Sequence, residues 1–524
     1  MKKILPFLLF FNTFFNALSQ QRNVILIIAD DLGSDYCGFN ENHLDTAPMP
    51  NVRKLLARGV RFRNAWTNPL CSPTRAGMLT GRYSFRTGVG NVVGAASSLD
   101  TAEITIPKLL NRYKPNGISK GHIGKWHLQA PIAANYLNPN KMGYDHYEGN
   151  MAAMVNSYTN WMKINDGVAT TVTNYATTET VNNAVSWIKT QDASKPFFLW
   201  LAFNAPHSPF HLPPAGLHSY TNLSGTAADI TANPKPYFKA MIEAMDKEMG
   251  RLFDSLQVYK QWDNTDIIFI GDNGNEMSTA QRTGGAKGGI MEQGISVPFI
   301  ISGPSVINPN RVSTALVHTT DLFATILELF GYTTWQSQIP ANKPVDSKSI
   351  LPIIKNQAAE TRPWNFTEIF RTPAVAGDGK TMRNTSYKLL DLDNGTQKFY
   401  KIDTDSLESN DLLRTALSAT AQTNYNYLCG EMTKLVGTGG FCSITPTNEV
   451  NNTDNLQVYP NPIRDFIKIK NAIGTETYEL YNALGQVYFK GKKIENHSFR
   501  ELPKGIYFLK IQGEHTTILK LMKE

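Results

Sequence analysis

The amino-acid sequence predicts an α/β fold: a central, mostly parallel sheet flanked by helices, then a small C-terminal α+β subdomain and an all-β module. Short continuous apolar runs recur and end in polar clusters, as buried parallel strands do. Segments with helical apolar spacing lie between these runs. From residue 456 the pattern changes to alternating apolar and polar residues separated by turns.

Three apolar runs are the candidate strands of the sheet, and polar residues follow each of them. The runs are Asn23–Ala29, Phe197–Phe203 and Asp266–Gly271, followed by Asp30-Asp31, Asn204-Ala-Pro-His207 and Asp272-Asn273-Gly274 respectively. One such cluster alone would be an ordinary cap or loop. Three of them predict a site at the carboxyl edge of the sheet, where open α/β folds bind ligands.

The helical pattern is clearest between the second and third runs. Apolar residues on one predicted helix face are Phe238, Met241, Ile242, Met245, Met249, Leu252, Phe253 and Leu256. Shorter, strand-like segments follow at Tyr387–Leu390 and Lys398–Ile402. These short strand-like segments favour a smaller subdomain on the C-terminal side of the main sheet in the sequence.

The length of 524 residues exceeds what one core supports, so at least two domains are expected. The predicted organisation is a signal peptide at 1–19, a catalytic domain at 20–340, a subdomain at 341–442, a polar linker at 443–455 and a β module at 456–524. The N-terminal apolar run after Lys2 and Lys3 is shorter than the roughly 20 residues of a membrane span, which favours a cleaved signal over a transmembrane anchor.

The formal charge of +7 is unevenly distributed. Two of its lysines belong to the predicted signal and a balance of +4 to residues 456–524, leaving the body at about +1. The composition therefore gives no reason to expect a nucleic-acid partner.

Four cysteines stand at positions 37, 71, 429 and 442. In an exported chain the short separation of Cys429 and Cys442 suggests a disulfide. Cys37 and Cys71 remain outside that pair, and Cys71 needs its own explanation.

The segment Cys71-Ser-Pro-Thr-Arg75-Ala-Gly-Met-Leu-Thr-Gly-Arg82 resembles the signature of the sulfatase family, C-x-P-x-R followed by T-G-R. The resemblance implies an alkaline phosphatase-like fold and oxidation of Cys71 to formylglycine by a formylglycine-generating or sulfatase-maturing enzyme. In that family the hydrated aldehyde attacks sulfur with one hydroxyl, and the other expels sulfate by carbon–oxygen cleavage. The resemblance also implies that Arg75 serves maturation and steadies the diol. The alternative for Cys71 is an ordinary buried thiol.

The carboxylates and amide at the strand ends offer hard oxygen ligands, which suit calcium or magnesium better than zinc. The resemblance implies that Asp30, Asp31, Asp272, Asn273 and the formylglycine at 71 form the metal site. Calcium is the usual ion in the family, and we expect it in preference to magnesium.

Further catalytic residues follow from shorter elements similar to those of the family. Gly121-His-Ile-Gly-Lys125-Trp-His127-Leu places Lys125 and His127 near the nucleophile, with His127 as the base in sulfate release. Ala205-Pro-His207 makes His207 a donor toward the leaving group, and Lys287 resembles the lysine that binds a sulfate oxygen.

One position departs from the family pattern. Ser296 stands where the family usually has arginine, and a packing or substrate role for that side chain is therefore not carried over. Three further side chains near the predicted site have no assigned chemistry and are expected to pack or line the pocket: His122, Trp126 and His211.

The sulfatase resemblance covers about residues 22–415, and the tail resembles a different module. Its segments Val458–Pro462, Tyr481–Gly485, Leu502–Tyr507 and Lys520–Lys523 are similar to the sorting domain of the type IX secretion system. This implies export through the periplasm of a Gram-negative bacterium to the outside or the cell surface. A carbohydrate-binding module is disfavoured because an aromatic platform is not evident.

The predicted function is hydrolysis of sulfate esters, on a sulfated polysaccharide or its oligosaccharides. A polysaccharide is expected because an exported enzyme meets polymers outside the cell; algal polymers such as ulvan, carrageenan or fucoidan are favoured, and animal glycosaminoglycans stay open. Two alternatives stay open: a formylglycine-dependent phosphodiesterase or phosphonate monoester hydrolase, and an inactive sulfoglycan-binding protein.

Overall fold

The structure is a computed structural model, and it describes residues 22–39, 45–94, 98–281, 286–437, 457–470, 474–482, 485–513 and 516–523. The predicted signal peptide, the linker at 443–455 and Cys442 of the suggested disulfide lie outside the described residues. The chain divides into two compact units, Met1–Arg414 and Thr415–Glu524. This division falls inside the predicted subdomain 341–442, whose boundaries stay a prediction.

The first unit is built on a ten-stranded sheet. Its strands are β1 Asn23–Ala29, β2 Gly59–Trp66, β3 Ser119–Gly124, β4 His146–Gly149, β5 Trp161–Asn165, β6 Val168–Val172, β7 Phe197–Ala202, β8 Thr265–Gly271, β9 Phe299–Ser302 and β10 Arg311–His318. Their order is β10-β2-β9-β8-β1-β7-β3-β4-β5-β6. Only β5 and β9 run against the others, so the sheet is mostly parallel, as predicted.

Strand β1 lies in the middle of this sheet, parallel to both of its neighbours, β7 and β8. Its side chains alternate between two hydrophobic cores: Val24, Leu26 and Ile28 face one, and Ile25, Ile27 and Ala29 face the other. Because successive strand residues point to opposite faces, this pattern requires apolar cover on both sides of the sheet.

Helices supply that cover. The helices of the first unit are α1 Pro50–Ala57, α2 Cys71–Thr80, α3 Ser84–Thr87, α4 Ile106–Tyr113, α5 Asn138–Lys141, α6 Ala176–Lys189, α7 Ala227–Ala232, α8 Pro234–Val258, α9 Glu292–Ile295, α10 Asp321–Leu329 and α11 Leu351–Ile354; α12 Ala419–Val436 belongs to the second unit. Helices α2, α4 and α10 contribute to one core, and α1, α6 and α8 to the other. The predicted helix over 238–256 is the central part of α8. Within the described chain, no helix is both long and apolar enough to cross a membrane.

A second, antiparallel sheet completes the first unit. Its strands, in spatial order, are β11 Asn365–Ile369, β12 Gly379–Arg383, β13 Lys388–Leu392 and β14 Gln397–Tyr400. The last two correspond to the strands predicted near 387–390 and 398–402.

The second unit contains α12 and six strands, all paired antiparallel. These are β15 Gln457–Tyr459, β16 Lys468–Lys470, β17 Thr477–Asn482, β18 Val487–Gly491, β19 Gly505–Gln512 and β20 Thr516–Lys523. Ile467, Leu480 and Leu509 are fully buried in its core. The prediction of an all-β module at residues 456–524 is confirmed.

Candidate active site

Two parallel strands bring four metal-binding candidates together. Asp30 and Asp31 follow β1, and Asp272 and Asn273 follow β8, with Ala29 and Gly271 in register at the strand ends. Asp31 has a left-handed φ of 65°, and its amide donates to Asp272 Oδ1 at 3.0 Å. Asn273 Nδ2 donates to Asp31 Oδ1 at 2.7 Å. The strand register therefore places all four side chains in one buried cluster.

Helix α2 begins at Cys71 and carries its thiol into this cluster. Cys71 Sγ lies 3.4 Å from Asp30 Oδ1 and 3.7 Å from Asp31 Oδ1. Its side chain is 1% exposed. Because Cys71 is the first residue of the helix, the partial positive charge of the helix N-terminus favours an anionic group at this position.

Arg75 lies one turn further along α2 and is fully buried. Its Nε and Nη2 donate to Asp272 Oδ2 at 3.1 and 2.8 Å, and its Nη1 donates to the Lys125 carbonyl at 2.9 Å. The guanidinium thus ties α2 to the ends of β8 and β3. Such a buried, fully paired cation is costly to disturb, because removing one partner leaves the other charge unpaired.

Lys125 and His127 follow strand β3. Lys125 Nζ is 2.6 Å from Asp30 Oδ2. His127 is buried, with φ of 54°, and neither of its ring nitrogens has a hydrogen-bond partner among the described residues. Its backbone carbonyl accepts a hydrogen bond from Ser72, next to Cys71. The imidazole is thus held at the site with both nitrogens available.

His207 and Lys287 approach Asp31. His207 Nε2 lies 3.6 Å from Asp31 Oδ2, and Nδ1 is 2.7 Å from the Ser208 carbonyl. Since a carbonyl only accepts, Nδ1 carries the proton of this hydrogen bond. Lys287 Nζ is 2.7 Å from both carboxylate oxygens of Asp31. All ten site residues predicted from the sequence therefore lie in one connected cluster.

The charges of the cluster balance before any ligand binds. Its three cationic side chains each contact one of its three aspartates: Arg75 with Asp272, Lys125 with Asp30, and Lys287 with Asp31. Asn273 Oδ1 is buried and accepts no hydrogen bond within the described part of the chain. Ligand atoms of Asp30, Asp31, Cys71 and His207 lie within 4.8 Å of one another. Three carboxylates and an unsatisfied amide oxygen fit a hard divalent cation.

Burial and neighbouring charges shift several pKa values in the cluster. Burial raises the pKa of the Cys71 thiol, and the charge of Asp272 raises it further. Burial and then the charge of Asp30 raise the pKa of Asp272 to about 6. Burial alone would also raise the pKa of Asp30, but nearby cations, Lys125 foremost, hold it far below its usual range. The raised pKa of Cys71 disfavours the thiolate, which is the nucleophilic form of cysteine.

The unassigned residues have structural surroundings. His122 Nε2 is 3.1 Å from the Lys125 carbonyl, and its ring packs among buried aromatic side chains, including that of Trp126 at 5.0 Å between centroids. His211 Nε2 is 3.0 Å from the Tyr175 hydroxyl. Ser296 contacts Ser34, with 3.3 Å between their hydroxyl oxygens.

Two supporting residues were not predicted. The Ser208 hydroxyl donates to Glu276 Oε1 at 2.6 Å, and that oxygen is 3.8 Å from His207 Nδ1. Both residues lie in loops without periodicity. In the sequence, Glu276 could have been indicated only by its position three residues after Asn273 in the same loop.

The sequence and the fold match known proteins. A family model described as Sulfatase matches residues 22–332, and a model described as Secretion system C-terminal sorting domain matches residues 457–524. N-acetylgalactosamine-6-sulfatase of Sus scrofa is 29% identical over 382 residues, covering 66% of this chain and 68% of that protein. Arylsulfatase J of Mus musculus is 27% identical over 346 residues, covering 61% of this chain and 56% of that protein.

A solved structure shares the architecture. The crystal structure of Ps i-CgsB in complex with k-i-k-neocarrahexaose superposes with a TM-score of 0.67 and 25% identity, covering 82% of this chain and 94% of that one. The chain thus spans little more than half the length of arylsulfatase J but nearly all of this structural relative. With the family model matching more than half of its residues, the chain belongs to the sulfatase family and carries a secretion system C-terminal sorting domain at residues 457–524.

Proposed function

We propose that this protein hydrolyses sulfate esters on a sulfated polysaccharide or its oligosaccharides, with Cys71 converted to formylglycine beside a divalent cation. One observation carries the proposal. Cys71 Sγ stands 3.4 and 3.7 Å from two buried carboxylates, among side chains that can bind a cation on one side and an anionic ester on the other.

The environment of Cys71 argues against a thiol nucleophile. Burial and the charge of Asp272 raise the pKa of the thiol and so disfavour the reactive thiolate. Formylglycine would instead supply an oxygen nucleophile, and the hydroxyl that does not attack would allow sulfate to leave. Its formation requires a maturation enzyme, which we propose as a partner of this chain.

Asp30, Asp31, Asp272 and Asn273 would hold the cation, with the modified residue 71. Their oxygen donors favour calcium, and magnesium second. When bound, the cation would leave the otherwise neutral cluster positively charged and stabilise negative charge on the sulfate oxygens.

The protein's own side chains have distinct roles in this proposal. Arg75 holds the first turn of α2 and thereby orients residue 71. Lys125 and Lys287 contact aspartates now and would bind sulfate oxygens once the cation offsets the aspartate charge.

The two histidines would move protons. His127, whose ring nitrogens have no partner in the described chain, would accept the proton during sulfate release. His207 binds the Ser208 carbonyl through Nδ1, so only its doubly protonated form can donate from Nε2 to the ester oxygen.

The sorting domain and the relatives support a glycan substrate outside the cell. A type IX sorting domain implies passage through the periplasm of a Gram-negative bacterium to the exterior or the cell surface. Polymers are the sulfate esters that an exported enzyme meets there. The structural relative was solved with k-i-k-neocarrahexaose, which favours an algal galactan among the polymers considered.

The test is sulfate release from algal polysaccharides, their oligosaccharides and glycosaminoglycans, using protein in which a peptide mass confirms formylglycine at position 71. The Cys71→Ala variant should release none, whereas Cys37→Ala, which alters the other buried free cysteine, should stay active. Binding without release by the matured protein would favour the sulfoglycan-binding alternative. Faster turnover of aryl phosphate diesters or phosphonate monoesters than of any sulfate ester would favour the phosphodiesterase or phosphonate monoester hydrolase alternative.

A further inference from the structure

A small hydrophobic cluster joins the second sheet to the catalytic centre. It contains Leu70, Ile290, Ile369, Leu390 and Tyr400. Leu70 immediately precedes Cys71, Ile290 lies three residues after Lys287, and Ile369 ends strand β11 two residues before Arg371. The packing of these side chains therefore brings the loop after β11 beside the segments that carry the nucleophile and the sulfate-binding lysine.

Arg371 extends from this loop toward the site. Its Nη2 donates to the carbonyl of Gly288, the residue after Lys287, at 3.3 Å. A Cβ atom placed on Gly288 would lie 3.5 Å from Arg371 Nη2 and 3.9 Å from Leu70 Cδ2. The guanidinium thus lies against the backbone of Gly288, next to Lys287, and the Arg371 side chain is 23% exposed.

The loop is held in shape by a buried carboxylate. Asp378 Oδ2 accepts the amides of Arg371 at 2.9 Å and Val375 at 3.1 Å, and Oδ1 pairs with Arg371 Nη1. Residues 372–377 between them are exposed. Asp378 accepts one N–H of the guanidinium and the Gly288 carbonyl accepts another, so three of its five N–H groups have no partner among the described residues.

We propose that Arg371 binds a second anionic group of the substrate, a sulfate or carboxylate on the same sugar as the scissile ester or on its neighbour. This inference rests on the proposed glycan sulfatase function. In the catalytic cluster, Arg75 pairs with Asp272 and the two lysines are assigned to the scissile sulfate, so no cationic side chain there is left for a second anion. The planar fork of arginine suits an oxyanion, and Asp378 fixes its orientation without occupying its open N–H groups.

The experiment measures binding directly, so that it does not depend on turnover. Full-length Cys71→Ala protein with calcium is titrated calorimetrically with three sets of oligosaccharides: monosulfated, disulfated, and monosulfated with a uronate. Arg371→Met keeps the stem and removes the charge, and Arg371→Lys keeps the charge without the fork. Arg86→Met is the matched control, because Arg86 has a side chain 24% exposed and pairs with Asp346.

We expect Arg371→Met to weaken binding of the doubly anionic ligands by about 10- to 100-fold and of the monosulfated ligand by less than about threefold. Arg371→Lys should fall between, and Arg86→Met should change neither. Of the two doubly anionic ligands, the one that loses more affinity in Arg371→Met identifies whether Arg371 binds a sulfate or a carboxylate.

Equal losses for singly and doubly anionic ligands, no loss, or no binding of any doubly anionic ligand by the parent protein would each overturn the role of Arg371. Turnover of 4-nitrophenyl sulfate by the matured enzyme is measured separately. Its absence, together with absent release from every glycan, contradicts the proposed function instead.

Discussion

The hydroxyl of Ser72 donates a hydrogen bond of 2.9 Å to the backbone carbonyl of His127. The same hydroxyl oxygen accepts the Val93 amide at 3.1 Å. The residue after Cys71 therefore fixes the peptide of His127, the proposed base, whose side chain has no hydrogen bond of its own within the described chain. The position of His127 thus depends on its backbone.

Ser72→Ala should lower both stability and turnover. It leaves a buried amide and a buried carbonyl unpaired, at a cost of about 1–3 kcal/mol, and allows the His127 peptide to move. We expect kcat on an aryl sulfate to fall about 10-fold or more, since small misplacements of a catalytic group are expensive. Thr80→Val, which removes a hydroxyl bonded only within α2, is the control. Unchanged kcat with reduced stability would show that Ser72 is structural alone.

Removing the divalent cation should destabilise the protein and abolish turnover. Without it, Asn273 Oδ1 stays unpaired and three aspartates share one buried site. Saturating calcium should add about 3 kcal/mol at a hundredfold excess over Kd, seen as a higher Tm than in chelator. Asn273→Ala should weaken this calcium-dependent rise in Tm. A Tm that is the same in calcium, magnesium and chelator would contradict the metal site.

His207→Ala should impair esters with poor leaving groups most. A donor to the ester oxygen matters for a sugar alkoxide and little for 4-nitrophenolate, so the loss should reach about 100-fold or more on a sugar sulfate. Kinetics on aryl sulfates of graded leaving-group pKa give the comparison, with His218→Ala as a control outside the cluster. An equal loss across that series would exclude proton donation by His207.

Glu368, a buried carboxyl group in the second sheet, should make a contribution to stability that falls as pH rises. Burial raises the pKa of Glu368 from its ordinary 4.5 to about 7, so the folded state favours the protonated form. The contribution of the Glu368 carboxyl group to folding stability is complete below pH 4.5 and is lost as the pH rises to about 7. Glu368→Gln, which can still accept the Phe85 amide, should therefore stabilise the protein at pH 8 by up to about 3 kcal/mol and change little at pH 4.

Urea unfolding at the two pH values checks this prediction, with the exposed Glu360→Gln as the control. A Glu368→Gln effect of the same size at both pH values would show that the carboxyl group does not titrate in this range.

Much of the site was predictable because its ligands follow strong local signals. The apolar runs before Asp30 and Asp272 predict buried parallel strands, and parallel strands gather their carboxyl ends at one edge. Strand order carries no such signal. The antiparallel insertion of β9 between β2 and β8 had no visible pattern, and the short β4 was not expected at all.

Contacts between distant segments were equally hidden. Arg371 reaches Gly288 because Leu70, Ile290 and Ile369 pack in one hydrophobic cluster, and the Glu276–Ser208 contact joins two aperiodic loops. Such contacts are set by tertiary packing, so hydrophobic periodicity does not reveal them. Sequence resemblance predicted which residues would react, whereas the residues that hold them in place became visible only in three dimensions.

Gly124 should be among the least replaceable residues near the site. It has φ of 99°, and a Cβ atom there would lie 1.8 Å from the Ala202 carbonyl oxygen, which accepts the Lys125 amide at 2.9 Å. Gly124→Ala must separate β3 from β7 where Lys125 leaves the sheet, and we expect a loss above about 4 kcal/mol or insoluble protein.

Gly88→Ala is the matched control for this substitution. Gly88 also has a positive φ, 75°, but a Cβ atom there would meet no other atom within 4 Å, so only backbone strain of about 1–2 kcal/mol applies. Urea unfolding and soluble yield measure both variants. If the two cost the same, the close approach of Gly124 to the Ala202 carbonyl contributes nothing, and the strain of a left-handed residue accounts for both.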